Sequence, residues 1–415
     1  MPDRPTMLLP PLRTMALLVS AACATNTHPD EGSDPVHTTM ACETPASDTF
    51  VRPFEVDAKQ YPFTSCAMQT EHGVMHYIDE GPRDAEHTVL MVHGNPTWSF
   101  LYRNIARELI ADGHRVIVPD HLGMGMSDIP TTADFDYRPR THSDHLEELV
   151  VALDLDGITV VGQDWGGPIG LGMATRQPDR IRSLLFMNTW AWSIDPSDPG
   201  TDHQVVDWYH QAKQTEVALP GWFCQFALPG QSDIMAREAD PTEGAVYEAV
   251  LEAYLAPHID PATGAYVTDE PCAPMQIFAE SILDDDAYQG EVEQGLSELV
   301  GKPYALLTGQ SDILFGALRC DLDAPSPCPG EATCQCVAEV LPSRTEADCG
   351  TASEDFHVCV EPDGSLIEPN ADRFVELLGT DGLVLRESIP ASDHMVQEDA
   401  PDDVIAALRA LLAAD

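Results

Sequence analysis

Ten residues, 158–167, restrict this chain more than any others: Ile-Thr-Val-Val-Gly-Gln-Asp-Trp-Gly-Gly. A β-branched apolar run meets Gly162, then Asp164, then Gly166 and Gly167. The run reads as a buried strand that turns sharply into a helix. Small residues sit two before and two after Asp164 because so tight a turn leaves no room for side chains beside its apex. Such a turn exposes its apex residue at the top of the strand, where a nucleophile is needed. No Gly-x-Ser-x-Gly occurs anywhere in the chain, so the exposed group is a carboxylate. A carboxylate attacks ester or amide carbonyls poorly. It displaces leaving groups from saturated carbon, forming an ester that water must then hydrolyse. The competing structural reading is a buried Asp capping the following helix.

The flanking sequence supplies strands and helices in alternation. Met75–Asp79, Thr88–Val92, Arg115–Val118, Leu184–Met187, Tyr304–Thr308 and Leu383–Leu385 read as strands. Leu101, Ile105 and Leu109 recur at helical spacing, as do Leu146, Leu149, Val150 and Leu153, and Val404, Ile405, Leu408, Leu411 and Leu412. This alternation implies a mostly parallel sheet with helices on both faces. The glycine-rich turn Asp120–Asp128 lacks the third glycine and following helix of a dinucleotide site. From 193 to 275 the rhythm breaks into helical segments near 203–214 and 242–256, carrying Trp208, Tyr209, Trp222, Phe223, Phe226, Tyr247 and Tyr254. An insertion just past a strand's C-terminal end is expected to cap the site, although each aromatic taken singly fits the insertion's own core.

The remaining segments divide by composition. Residues 1–23 read as an export signal. Arg4 and Arg13 precede a short apolar run and Ser20-Ala21-Ala22-Cys23, which is similar to a bacterial lipoprotein site. Lipid on Cys23 would anchor the protein to a membrane, in the periplasm or cell envelope. Residues 24–50 form an acidic, apolar-poor tether whose Cys42 could pair with Cys66. Six of the eleven cysteines (Cys320, Cys328, Cys334, Cys336, Cys349 and Cys359) crowd into 317–371, a segment too poor in apolar residues to build a core. It reads as a disulfide-held insertion, with a metal site as the weaker alternative. The hydrolytic core is expected at 51–192, 276–316 and 372–415, with the cap at 193–275.

Net charge bounds the partners. With 69 acidic and 21 basic residues the formal charge is -48, which repels nucleic acid and anionic membrane surfaces. Self-repulsion at low salt also makes a saline habitat a reasonable expectation. No apolar run reaches the roughly 18 residues that span a membrane.

Three residues in the order Asp164, Asp312, His394 each follow a strand end, where side chains from different strands converge. Asp312 is suited to accept the imidazole N–H and fix its tautomer, and His394 to take a proton from the attacking water. A departing anion also needs donors aimed at it. The Trp165 indole N–H and the Asn95 amide are candidates, and the backbone N–H groups of Asn95 and Trp165 are candidates for an oxyanion hole. Taken one by one, Trp165 is also a core residue, Asp312 a turn residue and His394 a surface histidine.

On His93-Gly94-Asn95-Pro96-Thr97-Trp98, Val161–Gly167, Tyr254-Leu255-Ala256-Pro257 and Asp393–Glu398, the chain resembles a haloalkane dehalogenase of the α/β-hydrolase fold. The resemblance covers about 51–316 and 372–413. It implies hydrolysis of a haloalkane to alcohol, halide and proton, without cofactor or metal. Asp164 would be the nucleophile, His394 the base, Asp312 the acid, and Trp165 and Asn95 the halide donors. An epoxide hydrolase is the first alternative, needing cap tyrosines such as Tyr209, Tyr247 or Tyr254 as acids. A haloacetate dehalogenase would place Arg where Trp165 stands. A tethered binding protein with an inactive body is the remaining alternative.

Overall fold

The computed structural model describes residues 51–195, 203–218, 228–242, 244–259, 272–310, 332–336, 357–360, 368–390 and 392–414, together with Cys42, Thr263, Asp312 and Pro362. The segments 1–23 and 24–50 (Cys42 apart), Trp222, Phe223, Phe226 and most of 317–371 lie outside the described residues.

Strands β1 (Ser65–Gln69), β2 (Val74–Glu80), β3 (Thr88–Val92), β4 (Arg115–Pro119), β5 (Ile158–Gln163), β6 (Ile181–Met187) and β7 (Tyr304–Gly309) belong to one sheet. Strands β8 (Thr333–Cys336) and β9 (His357–Val360) form a separate antiparallel pair, and β10 (Leu383–Ile389) returns to the large sheet. The large sheet runs β1-β2-β4-β3-β5-β6-β7-β10, with β4 to β10 parallel and the β1–β2 hairpin antiparallel at one edge. The fold is thus of the α/β-hydrolase class.

The pleat explains the burial. Alternate residues point to opposite faces. Leu90, Val92, Val160, Leu184, Phe186 and Leu306 enter one core, and Val89, Met91, Val161, Leu185, Met187 and Leu307 enter the other. Both faces are covered, so β3, β4, β5 and β7 are buried at every residue and are mostly apolar. Helices α1 (Arg103–Ala111), α2 (Pro139–Ala152) and α3 (Gly166–Arg176) follow strands β3 to β5. Between β6 and β7 come α4 (His203–Ala218), α5 (Leu228–Ala239), α6 (Ala245–Leu255), α7 (Ala273–Asp284) and α8 (Asp286–Gly295). Helices α9 (Pro369–Leu378), α10 (Val396–Asp399) and α11 (Pro401–Ala413) complete the chain. The α9 and α11 helices begin on proline, whose fixed φ suits a first helical position. Helix α7 runs through residue 275, where the sequence suggested a boundary.

Cys42 is disulfide-bonded to Cys66 on β1, and Cys272, Cys334 and Cys359 are also disulfide-bonded. Among the described residues no helix is long and apolar enough to cross a membrane, and no group of three or more His, Cys, Asp or Glu is arranged to hold a metal ion.

Candidate active site

Asp164 follows β5 with φ at +51°, a left-handed conformation that costs a non-glycine residue energy and that its surroundings must hold in place. They do so from several sides. Its N–H donates to Asn188 O at 3.0 Å, and Thr189 Oγ1 and the Gly167 N–H both donate to its carbonyl. Gly166 packs so closely on Val92 that a Cβ would overlap the Val92 carbonyl. Asp164 is 6% exposed. Its Oδ1 accepts the Asn95 backbone N–H at 2.7 Å, and Oδ2 lies 3.5 Å from His394 Nε2. Gly94 lies against this carboxylate, and a Cβ there would overlap Oδ1.

His394, in the loop after β10, directs Nδ1 to Oδ2 of the fully buried Asp312 at 2.9 Å. Burial pushes the imidazolium down, but the charges of Asp312 and Asp164 outweigh it and hold His394 well above its ordinary value. Gln163 Nε2 lies 3.2 Å from His394 Nε2 and 3.1 Å from its carbonyl. The three residues drawn from the sequence as a triad are therefore together, contributed by the ends of β5, β7 and β10.

Trp165 is buried at the start of α3, edge-on to Trp190 at 4.6 Å and beside Phe278 of α7 at 5.6 Å. Among the described residues neither its indole N–H nor its backbone N–H has a hydrogen-bond partner. Asn95 bridges the nucleophile and the inserted helices. One of its amide hydrogens is committed to Met275 O on α7 at 3.1 Å, and among the described residues its buried Oδ1 has no hydrogen-bond partner. Asn95 thus meets the nucleophile with its backbone and the inserted helices with its side chain.

Asn188 had no assigned role in the sequence, yet it joins all three strand ends. Its carbonyl holds Asp164, its Oδ1 accepts the Gly309 N–H at 2.9 Å, and its Nδ2 donates to Asp393 O at 2.8 Å and His394 O at 3.1 Å. Its left-handed backbone, a conformation Asn tolerates better than most residues, was the one local hint available. The three tyrosines that would serve epoxide opening are committed elsewhere. Tyr209 donates to Asp284, Tyr247 to Asp233 and Tyr254 to Glu398.

An alpha/beta hydrolase fold model matches residues 87–233. Over 142 residues the chain is 42% identical to haloalkane dehalogenase 2 of Mycobacterium tuberculosis, covering 34% of this chain and 48% of that one. Over 273 residues it is 32% identical to the cis-3-alkyl-4-alkyloxetan-2-one decarboxylase of Xanthomonas campestris, covering 61% of this chain and 82% of that one. The chain spans about half the length of several other curated relatives that it matches. The solved haloalkane dehalogenase from Paraglaciecola agarilytica superposes with a TM-score of 0.58 at 22% identity, covering 87% of this chain and 98% of that one, a likeness of fold. The chain belongs to the alpha/beta hydrolase family, among relatives that include haloalkane dehalogenases and alkyloxetanone decarboxylases.

Proposed function

We propose that the chain is a hydrolytic dehalogenase converting a haloalkane and water to an alcohol, a halide ion and a proton. One arrangement carries the reading. Asp164 rests one oxygen on the Asn95 N–H, turns the other toward His394, and sits beside a Trp165 indole N–H that no described group occupies. Asp164 attacks the carbon bearing the halogen, the carbon–halogen bond breaks with its electron pair on the halide, and an ester forms. Trp165 and the second Asn95 amide hydrogen hold the halide. Hydrogen bonds to a charged group contribute about 1.5–3 kcal/mol each. Esterification removes one of the two charges that keep the proton on His394, so the imidazole becomes a base when the ester needs one. Water then loses a proton to His394 and attacks the ester carbonyl, with the Asn95 and Trp165 backbone N–H groups facing the oxyanion.

Helices α4 to α7 act as the cap in this reading, supported by the contacts of Met275 and Phe278 with Asn95 and Trp165. Export through residues 1–23, with or without lipid on Cys23, draws support from the disulfide-bonded cysteines. The test is bromide release from 1-bromobutane and 1,2-dibromoethane by oxidised protein. Release that disappears in Asp164→Asn is the expected result. Release that persists in the variant would sink the role given to Asp164. A binding protein with an inactive body would instead release no bromide from either form.

A second reading is favoured by the relative with 82% of its length covered. Asp164 could open a cis-3,4-dialkyl oxetan-2-one at the ring carbon bonded to the ring oxygen, freeing a carboxylate on the neighbouring carbon. Loss of that carboxylate as carbon dioxide would expel Asp164 and leave an alkene. No water enters, so His394 would be dispensable as a base. Alkene without bromide, unaffected by His394→Gln, would move the assignment there.

A further inference from the structure

The reaction leaves two sequence motifs unused, Tyr254-Leu255-Ala256-Pro257 and the Glu398 end of Asp393–Glu398. The structure joins them. Buried Glu398 on α10 is gripped by both terminal nitrogens of buried Arg103 on α1, with Nη2 to Oε2 at 2.9 Å, and it also accepts the Tyr254 hydroxyl from α6. The neighbouring Asp399 faces the base loop. Its Oδ2 accepts the Asp393 N–H at 2.5 Å and the Ser392 hydroxyl at 3.1 Å, and Asp393 Oδ1 accepts the His394 N–H at 2.9 Å. On the far side, α5 packs on α10, and the Glu238 carboxyl group faces that of Asp399. Through adjacent Glu398 and Asp399, two inserted helices are thus linked to the backbone of His394.

We propose that Tyr254 and Glu238 are positioning residues for His394, acting through Glu398 and Asp399, so that the base meets the ester only when the inserted helices are seated. The inference rests on the dehalogenase reading. Halide displacement makes no use of His394, whereas ester hydrolysis requires it, so loosening these links slows the second step and spares the first.

Two carboxyl groups that face each other hydrogen-bond only while one of them holds a proton. The groups facing Glu238 are Asp399, Asp393 and Glu398, all acidic. The cations are engaged elsewhere, Arg103 with Glu398 and Arg237 with Asp233, which also accepts Tyr247 of α6. Burial, then these charges, holds the Glu238 carboxyl well above the usual carboxylate range, so a shared proton is favoured and is lost toward alkaline pH.

The experiment is rapid-quench bromide release and intact-mass measurement of the ester with 1,2-dibromoethane, from neutral to alkaline pH, on the full oxidised chain and on Tyr254→Phe, Glu238→Ala and Glu238→Gln. Tyr254→Phe keeps the ring packed edge-on to Phe100 at 5.1 Å, and Glu238→Gln is isosteric, so both remain informative if Glu238→Ala does not fold. Expected is an unchanged bromide burst with ester hydrolysis slowed roughly ten- to a hundredfold in Tyr254→Phe and Glu238→Ala. Glu238→Gln, a donor that does not titrate, should hydrolyse the ester like the natural chain and remove the decline that the natural chain shows as pH rises into the alkaline range. Variants that melt lower but hydrolyse the ester at the natural rate with an unaltered pH profile would overturn the inference, as would a slowed burst. A natural chain that forms no ester would overturn the dehalogenase reading and the inference with it.

Discussion

Gly94 sets a limit on the nucleophile that a single methyl group would exceed. The Cβ of Gly94→Ala would overlap Asp164 Oδ1 and lie 2.5 Å from its Cβ. The side chain that must yield is the reacting one. Halide release should fall on the order of a hundredfold, the scale of a misplacement of about 1 Å, while the melting temperature changes little. An alanine variant with natural kcat would refute the contact. His394→Gln makes a complementary case. Asp164, Asn95 and Trp165 stay in place, so the alkyl ester should form and persist, visible as a mass increase of one alkyl group on the intact chain. Unmodified protein after incubation would mean that His394 does more than activate water. Asp164, Asp312, His394, Asn95 and Trp165 were legible because each belongs to a local motif at a strand end. Asn188 and Gln163 were not, since their contacts with the base loop span 205 and 231 residues and leave no local pattern.

The same distinction holds among the elements. Central strands were legible from their β-branched, apolar runs. Strand β10 was read only as far as Leu385 but extends to Ile389, because Arg386, Glu387 and Ser388 break the apolar pattern on a largely exposed edge. Strand β1 has no alternation, and α8 buries only Tyr288, Gln289 and Val292 in ten residues, so neither stood out. One element carries a pH prediction. His142 and His145 on α2 pack with His121 and Phe135, and His145 bonds His72 at 3.0 Å. Burial first, then neighbouring imidazoles, lowers His121 and His142 well below their ordinary value and His145 to about 4. A histidine depressed in the folded state contributes stability that is present above its unfolded value of about 6.5 and lost as pH falls toward the folded one. Urea stability should therefore decline between about pH 6.5 and pH 4, and His142→Phe, stacking on Phe278 in place of the imidazole, should flatten the decline. Equal slopes for both proteins would dismiss the cluster as the cause.

Across the whole molecule a formal charge of -48 opposes compaction. Raising salt from about 0.01 M to 1 M shortens the screening length from roughly 30 to 3 Å, so the melting temperature should rise steeply with potassium chloride. A flat response would show that the charges are too dispersed to matter. Cys42–Cys66 closes a separation of 24 residues, and its reduction should remove about 2–4 kcal/mol of stability. The sheet order has one more consequence. The nucleophile stands on β5, paired on both sides, whereas the base rides on β10, which among the described strands has β7 as its sole neighbour. The edge strand is thus the natural first unit of partial opening. In rising urea, amide exchange should quicken along β10 and activity should vanish while the far-ultraviolet dichroism of the body is still native, so that turnover reports the loosening of one border of the sheet rather than the melting of the protein.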